Sequence, residues 1–599
     1  MSIKKFTVTV IGIMLFIVTG VIPLIVRAAV RPVPPELWDL LNIKTKADAF
    51  TYWKSVFLIA SAAVILCASA LNTEKNPLKK PAIPTILLCV YFLLVFLSDI
   101  LSPYPSTAFF GTVERFEGFF AQAAYMIVFF ASVRFSREPV VRKGIFSGLI
   151  FSSLITGAVG ISQLLGHDFF ATELGCFLVT GAPGRLSPAF TESYGTLFQP
   201  NTFGLYTAML SPLLLLFGFS YEGKPFVKVL LLAAGAAMLV CNHGSGTLGG
   251  FAGMLTAAAV ILITCAARKA YWQKKQPRRH SNRPRVKYIL IFLTALPIGA
   301  FFYFNNPALP VQLFSEISAL RKSAPSGEGN ADTRTQLLFK DGVLKITRGG
   351  ETLFSLTGSP EGRLLVVNHE MEEVLPVSAS TSQNGSQTEY GYSIEGYGDF
   401  SVTQRLDYYL FQKIRLSASN GKLTVLWSDG APVNADLPVP ATGFKGNEDW
   451  GSGRGYIWSR AIPLALAHSL LGSGSDSFIN EFPQHDVIGK ANVYGDPYIM
   501  VDKAHNLYIQ TFVTTGGVSA LALILLFGHY LFTAFISLIK SNEPPAAFWR
   551  NLAILSSVAA FAASSLSTDS TIGSSGVFWV ILGLGYAMNS ANGGLDGCV

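Results

Sequence analysis

Long apolar runs alternate with short polar connectors along most of this chain. Each run is close to the 20 or so residues that a helix needs to cross a bilayer. The runs lie near residues 6–26, 53–71, 84–102, 117–134, 144–164, 203–220, 226–242, 247–267, 288–304, 515–538, 549–566 and 574–590. No small-residue cleavage site follows the first run, so it predicts a transmembrane helix rather than a secretory signal. The pattern as a whole predicts an all-α polytopic membrane protein with about twelve transmembrane helices.

One long polar stretch interrupts these runs, and its pattern changes along its length. From about residue 335 to 441 short alternating runs replace the helical period, and the pairs Asp341-Gly342 and Asn420-Gly421 favour tight hairpin turns. We expect a small antiparallel β insertion there, followed by a helical segment at about 450–505. The predicted division is transmembrane helices 1–9 in residues 1–304, a large loop in residues 305–505 and helices 10–12 in residues 506–599.

Composition and charge place the chain in lipid. Hydrophobic residues make up 50% of it and charged residues only 14%, against roughly a quarter charged in a soluble protein. The formal net charge is +8, yet nine Lys and Arg and no acid lie between Arg268 and Lys287, which leaves −1 for the rest. Such a block between apolar runs is typical of a cytoplasmic connector that faces anionic lipids. We expect membrane lipids as its partner, no nucleic acid, both termini in the cytoplasm and the large loop outside.

The predicted spans contain few groups that could carry charge. Asp99 lies at the end of one span and His529 is the ionisable residue deep in another. Proton- and ion-coupled transporters place such groups at mid-membrane, so the scarcity disfavours a transporter. Three connectors on the predicted outer side are instead rich in polar and aromatic residues, at 102–120, 184–206 and 241–253. Their convergence on one face predicts chemistry on a substrate whose reactive end sits at the membrane boundary.

Four stretches carry a resemblance: "GTVERFEG", "YGTLFQPNTFG", "GSGRGYIWSRAIPLALAHSLLGSGSDSFINEFPQHD" and "VDKAHNLYIQTFVTTGGVSALAL". They resemble the bacterial O-antigen ligase and O-antigen polymerase family, most specifically in His505-Asn506 with a glycine eleven residues on. The resemblance implies a GT-C-like glycosyltransferase of the bacterial cytoplasmic membrane. It would move a glycan from a polyprenyl (undecaprenyl) pyrophosphate carrier to an acceptor hydroxyl on the outer face, with inversion and without a metal. Ligase and polymerase stay open, as does the acceptor, which could be a glycan, a lipid or a protein.

The residue chemistry fits that implication. A glycan activated on a lipid pyrophosphate needs no nucleotide-binding domain, and the outer connectors have no carboxylate cluster suited to a metal. Arginines can stabilise the pyrophosphate, because they hold phosphate oxygens bidentately. The resemblance points to Arg454 and Arg185 as catalytic arginines and to Arg115 as a third, substrate-binding one. His505 could act as the general base for the attacking hydroxyl or donate to the pyrophosphate as imidazolium.

The remaining candidates bind or orient the substrate. Asn506 and Asp502 could orient the imidazole or cap the following helix, and capping is the default expectation for Asp502. Asn201 belongs to the "QPN" stretch, and His243 lies in a turn, "NHGSGTLGG", where the family often has an arginine. We expect one continuous helix of 34 residues from His505 to Leu538, longer than a crossing requires. The alternative function is a lipid-linked glycan flippase or another polytopic transporter.

Overall fold

The computed structural model of this protein describes residues 3–71, 83–187, 190–275, 335–370, 372–382, 387–394, 398–405, 407–411 and 413–589. Within them the chain forms two compact units. The first contains the described part of residues 1–306 together with 468–480 and 505–589. The second contains the described part of residues 307–467 together with 481–504.

The α-helices of the described chain, in order, are α1 (Ile3–Phe16), α2 (Trp38–Leu41), α3 (Tyr52–Ala70), α4 (Ile83–Ile100), α5 (Pro105–Phe110), α6 (Phe119–Phe135), α7 (Pro139–Leu164), α8 (Glu173–Thr180), α9 (Pro200–Ser220), α10 (Pro225–Gly244), α11 (Leu248–Lys275), α12 (Trp450–Ala467), α13 (Phe478–Glu481), α14 (Val487–Tyr494), α15 (Leu507–Thr515), α16 (Gly517–Lys540), α17 (Pro545–Ser564) and α18 (Ile572–Asn589). A π-helical and a 3-10 turn extend α1 as far as Leu24.

The strands are β1 (Ala29–Pro32), β2 (Thr45–Asp48), β3 (Thr335–Lys340), β4 (Val343–Arg348), β5 (Glu351–Gly358), β6 (Leu364–Asn368), β7 (Ser378–Thr381), β8 (Thr388–Ile394), β9 (Gly398–Gln404), β10 (Tyr408–Leu410), β11 (Ile414–Ser419), β12 (Lys422–Leu426) and β13 (Pro432–Val433). Strands β1 and β2 form a small ribbon in the helical unit.

The first unit has the helices of a polytopic membrane protein. Ten helices of the described chain are long and apolar enough to cross a membrane, and α6 is a shorter apolar helix. Together they coincide with eleven of the twelve apolar runs in the sequence. The run near 288–304 lies outside the described residues. The prediction of a mostly helical multi-pass membrane protein is confirmed.

Packing inside this unit relies on small residues and aromatic rings. A Cβ on Gly20 would lie only 2.7 Å from the Cα of Gly148, so glycines allow the end of α1 to approach α7 closely. Thr19 donates to the carbonyl of Ile145 across the same contact at 3.3 Å. Most of α9 and of α18 is buried, 89% of the apolar window in each case. These two helices are therefore surrounded by protein, not by lipid.

The helix after His505 is broken. Helix α15 ends at Thr515 and α16 begins at Gly517, and Gly516 between them has φ +97° and ψ 160°. That backbone conformation is essentially restricted to glycine, and a Cβ there would lie 2.3 Å from the carbonyl oxygen of Leu470. The expectation of one continuous helix to Leu538 is wrong, because the apolar pattern continues across a backbone break.

The β strands of the second unit form two antiparallel sheets. Strands β3-β4-β5-β6 form one, and the other has the order β13-β12-β11-β10-β9-β8-β7. Both predicted hairpin turns are confirmed: Asp341 and Gly342 have φ +52° and +79°, and Asn420 and Gly421 have φ +51° and +76°. Positive φ at both central residues matches the right-handed twist of the flanking strands. The Phe354 ring stacks on Phe400 at 4.7 Å between the sheets.

The β strands and the following helical segment pack as one body. Asn492 of α14 both accepts from the Leu337 amide at 2.8 Å and donates to its carbonyl at 3.0 Å. The Tyr498 hydroxyl donates to the Leu426 carbonyl at 3.0 Å. Lys490 is fully buried and its amine lies 4.9 Å from the centre of the Trp427 ring. The β region is thus joined to the segment that contains Arg454 by contacts that the sequence pattern did not predict.

Candidate functional site

The His505-Asn506 pair lies at the mouth of α15. Asn506 is the N-cap, and its side-chain oxygen accepts from the amides of Tyr508 at 3.0 Å and Ile509 at 3.1 Å. Its side-chain nitrogen donates to the Leu566 carbonyl at 2.9 Å. The cap expected at Asp502 is therefore wrong: the helix starts at Leu507, and the Asp502 carboxylate accepts from Lys503. Asn506 is fully engaged in holding the backbone that presents His505.

Strained backbone gathers around this mouth. His505 itself is half-buried and has φ +50°. Glu114, Phe116 and Asp476 also have positive φ, at +79°, +51° and +61°. An L-residue in this region costs roughly 1–2 kcal/mol, and such residues cluster at functional sites. Glu114 and Phe116 flank Arg115, and Asp476 is its ion-pair partner, so the strain is concentrated around one arginine.

Arg115 is buried among carboxylates of three chain segments. Its Nε donates to Asp476, its Nη2 lies 3.3 Å from Glu117 and its Nη1 lies 3.5 Å from Asp569. Asp569 accepts in turn from the amide of Asn506 at 2.7 Å. Arg115, predicted to bind substrate, is thus connected to the His505-Asn506 peptide. The sequence analysis singled out neither Asp476, although it lies in a quoted motif, nor Asp569, because their shared partner Arg115 is 361 and 454 positions away in the chain.

Glu117 is one of the three buried carboxylates around Arg115, and its side chain is 3% exposed. It accepts from Tyr125 Oη at 2.6 Å and from Ser570 Oγ at 2.6 Å. Burial raises its pKa to about 7, against the opposing effect of Arg115 and these hydroxyls. A cavity of about 40 Å³ beside it is lined by polar groups including Gln510 and Thr514, which is room for ordered water. Burial therefore favours the protonated form of this carboxyl more than in water, while Arg115 favours the ionised form.

An apolar cleft of about 780 Å³ is lined in part by Asn506, whose amide donates to Asp569 of this polar cluster. Side chains of α11, α15, α16 and α17 line it, and its lining is apolar apart from Thr256, Asn506 and Tyr508. Tyr508 turns its hydroxyl to the Ala562 carbonyl at 2.8 Å, which satisfies its polar end. Asn506 therefore stands between an apolar cleft and a buried ionic cluster.

The second unit presents Arg454 on a left-handed turn. Gly451, Ser452 and Gly453 have φ +62°, +60° and +85° in succession, just before the helical part of α12. Arg454 is half-buried, and its Nη1 donates to the Gly451 carbonyl at 2.8 Å. The Tyr494 hydroxyl donates to the Gly453 carbonyl at 2.9 Å. The turn that carries Arg454 is thus folded back on itself and fixed from one side.

Arg460, in the same motif as Arg454, was not singled out by the sequence. It pairs with Glu448 and, at 3.3 Å, with Asp486. Its guanidinium lies 4.0 Å from the centre of the Tyr456 ring, and Tyr456 donates to Asp486 at 2.8 Å. The Tyr456 amide donates to the Glu448 carbonyl at 2.7 Å. Because Glu448 precedes the turn and Tyr456 follows it, Arg460 and its partners lock both ends of the turn.

The other predicted residues lie at helix ends of the first unit. Arg185 is exposed in the loop after α8, and its side chain makes no hydrogen bond or ion pair with any residue that the structure describes. Asn201 is half-buried in the first turn of α9, and His243 is half-buried in the last turn of α10. These two helix ends meet, because Asn242 donates to the Gly204 carbonyl at 3.0 Å.

Across the described ranges, no group of three or more His, Cys, Asp or Glu residues could hold a metal ion. Comparisons of the chain with protein-family models, with curated proteins and with solved structures find no match.

Proposed function

We propose that this protein is a glycosyltransferase of the bacterial cytoplasmic membrane, of the O-antigen ligase or polymerase type. It has about twelve GT-C-like transmembrane helices, cytoplasmic termini and an extracytoplasmic large loop. It transfers a glycan from a polyprenyl pyrophosphate carrier to an acceptor hydroxyl on the outer face, in the synthesis of a surface polysaccharide. Its partners are this donor, the hydroxyl acceptor and membrane lipids, and it uses no metal or other cofactor.

The observation that carries the proposal is the position of Asn506. This residue lines an apolar cleft of about 780 Å³ and is at the same time hydrogen-bonded to a buried carboxylate at the mouth of α15. A lipid-linked pyrophosphate has the matching division, because its polyprenyl chain is apolar and its head group is charged. A cleft of this size between helices is typical of a ligand site. Asn506 would stand where the chain of such a donor ends and its head begins.

The reaction that we propose is a direct displacement. The acceptor oxygen forms a bond to the anomeric carbon while the bond from that carbon to the pyrophosphate oxygen breaks. His505 takes the proton of the acceptor hydroxyl; in the alternative it donates a hydrogen bond to the leaving group as imidazolium, and the departing pyrophosphate oxygen takes the acceptor proton. Arg454 and Arg185 stabilise the negative charge on the departing pyrophosphate, and removal of one such donor typically costs 100- to 1000-fold in turnover.

The test is complementation of a deletion strain. We expect His505→Ala and Arg454→Ala to lose surface polymer and to accumulate lipid-linked glycan on the outer face, at normal protein levels. The matched control is His529→Ala: this histidine lies in α16 and contacts Tyr586 at 3.3 Å, so its loss should leave polymer intact. Wild-type polymer from both site variants would contradict the proposal. Chelators should leave activity in isolated membranes unchanged, whereas inhibition restored by magnesium would contradict the metal-free reaction.

One observation favours the alternative of a flippase or another transporter. The helical unit contains more buried ionisable groups than the sequence suggested: Lys54 of α3 is 1% exposed and donates to the Thr196 carbonyl, and Asp99 of α4 accepts from the Ser475 amide. Buried ionisable groups mark transport paths in many membrane proteins. A flippase predicts glycan accumulation on the inner face in the deletion strain and full function of His505→Ala.

A further inference from the structure

The strongest feature with no assigned role is the ionic cluster around Arg115. Its Nε, Nη1 and Nη2 point at three different carboxylates, those of Asp476, Asp569 and Glu117. The side chains of all four residues are at most 6% exposed. A phosphate group is normally held by two parallel N–H donors of one guanidinium. In Arg115 these donors face carboxylates inside the protein.

Two of the three carboxylates hold a second chain segment. Asp476 accepts from both the amide and the hydroxyl of Thr112, at 2.7 and 3.0 Å, which ties the 473–477 loop to the connector that carries Arg115. Asp569 accepts from the Asn506 amide at 2.7 Å. Arg115 therefore contacts Asp569, and Asp569 in turn holds the peptide that joins His505 to Asn506.

We propose that Arg115, Asp476 and Asp569 form a positioning cluster that fixes the His505-Asn506 peptide at the mouth of α15, and that Arg115 does not contact substrate. The role as a positioning device rests on the proposed function, in which His505 acts on the substrate. The strained φ of +50° at His505 supports it, because such a conformation persists only where its surroundings hold it. A misplacement of about 1 Å at a reacting group is enough to cost a hundredfold in rate.

Hydrogen exchange tests the cluster without any substrate. The full chain is placed in lipid nanodiscs and exchange is measured by mass spectrometry on peptides that contain the Asn506 amide. Asp569→Ala and Arg115→Gln should speed exchange at this amide at least tenfold. Asp569→Asn keeps an acceptor oxygen and should change it less than threefold. The control is Asp407→Ala, which breaks the Arg415 pair in the β region and should leave this amide unchanged. Wild-type exchange in Asp569→Ala would overturn the proposal.

A general loss of structure is recognised by faster exchange in α9 and α10 as well. If Asp569→Ala and Arg115→Gln lose structure in this way, Asp476→Asn is measured instead, because it removes one charge and keeps the shape of the side chain. Faster exchange confined to the mouth of α15 supports the cluster, and unchanged exchange there overturns it.

The catalytic consequence is measured with undecaprenyl pyrophosphate-linked glycan extracted from the deletion strain. Asp569→Ala should lower kcat at least tenfold and leave KM for this donor within twofold, and Asp569→Asn should restore most of the loss. Unchanged kcat together with faster exchange at Asn506 would overturn the positioning role. If the wild-type protein transfers no glycan, the proposed function fails, while the exchange result still decides whether the cluster holds the peptide.

Discussion

The two strongest candidate residues stand on left-handed turns, one in each unit, and the turns are built differently. In the second unit two glycines of the Gly451–Gly453 turn adopt positive φ, and Arg454 follows them. In the helical unit His505 itself has positive φ. Glycine reaches this conformation at no steric cost, whereas a histidine stores strain. The comparison teaches that glycines relieve most of the strain in the turn before Arg454, where Ser452 alone is an L-residue with positive φ. In the helical unit the strained residue is the candidate histidine itself, which depends on neighbours that hold it.

The neighbours differ in the same sense. Each turn is supported by a buried arginine among carboxylates, Arg115 in one unit and Arg460 in the other. The partners of Arg115 are 0 to 3% exposed, whereas Glu448 and Asp486 beside Arg460 are 30% and 13% exposed. Water screens a charge that loses its partner only where water has access. The helical unit should therefore tolerate the loss of its arginine less well.

The largest expected effect is that of Arg115→Ala. The change leaves three buried carboxylates without a cation, which typically costs about 3–5 kcal/mol. We expect a correspondingly lower unfolding temperature of the full chain in nanodiscs, with the loss of protection starting at α15. Arg185→Ala, at an exposed arginine, is the control and should stay within about 0.5 kcal/mol. If Arg115→Ala lowers the free energy of unfolding by less than about 1 kcal/mol, the buried carboxylates do not depend on this arginine as their burial implies.

The second effect is the pH dependence introduced by Glu117. Burial raises the pKa of Glu117 from 4.5 to about 7, so between these values the unfolded chain ionises while the folded chain keeps the proton. Wild-type stability should therefore fall as pH rises from about 4.5 to 7, by about 3 kcal/mol at most for this group. The Glu117→Gln variant lacks this titrating group, so its stability should fall less over the same pH range. Unfolding temperatures of both proteins at pH 5 and pH 7.5 measure the difference, and parallel curves would contradict it.

A smaller effect is expected from Arg460→Ala. The partners left behind are two partly hydrated carboxylates, so we expect a loss of about 2 kcal/mol, less than for Arg115→Ala. Exchange should speed up at the 448–456 peptide and not at α15. If Arg460→Ala destabilises the chain as much as Arg115→Ala does, the difference in burial between the two clusters does not set their contributions to stability.

Substitutions in the Gly451–Gly453 turn test whether this turn needs glycine and holds Arg454 in place. Gly453 has φ +85°, and a Cβ there would lie 2.2 Å from the Tyr494 ring. We expect Gly453→Ala to lose roughly 1–3 kcal/mol and to displace Arg454. Ser452→Gly, at φ +60°, is the matched control and should be neutral or slightly stabilising. Equal unfolding temperatures of Gly453→Ala and the wild type would contradict a fixed turn.

The smallest effect has the opposite sign. His505→Gly removes the left-handed strain in the folded chain, although glycine also makes the unfolded chain more flexible. The net result should be a free energy of unfolding up to about 1 kcal/mol higher than that of the wild type. The same variant should lose glycan transfer. A gain in stability coupled to a loss of function is what a strained functional residue predicts. Lower stability than the wild type would mean that the imidazole contributes more to the fold than its backbone conformation costs.

The parts of the fold that were predictable from sequence are those set by local patterns. Run length alone located the apolar helices of the described chain, because a bilayer demands about 20 apolar residues. Asp341-Gly342 and Asn420-Gly421 identified their hairpins, since few residue pairs accept two positive φ values. The pattern did not predict the helix break at Gly516, because apolar residues continue on both sides of it and do not reveal the backbone conformation.

The candidate site was predictable only in part. His505, Asn506 and Arg454 lie in recognisable motifs. Asp569 carries no such signal: it meets Asn506 63 positions away in the chain and Arg115 454 positions away, and only the tertiary fold brings them together. Arg460 lies in a motif too, but its role depends on Glu448 and Asp486 on either side of it. Ion pairs between distant segments leave no periodic trace in one sequence.

The nine residues of α15 set a fixed spacing between Asn506 and Gly516. One end is held by Asp569, and the other has no room for a side chain beside the Leu470 carbonyl. At 1.5 Å and about 100° per residue, the helix spans about 13.5 Å, and one inserted residue would swing the His505-Asn506 peptide about 100° away from Asp569. The interval between the histidine-asparagine pair and the glycine therefore works as a ruler. Substitutions along α15 should be far better tolerated than any insertion or deletion in it.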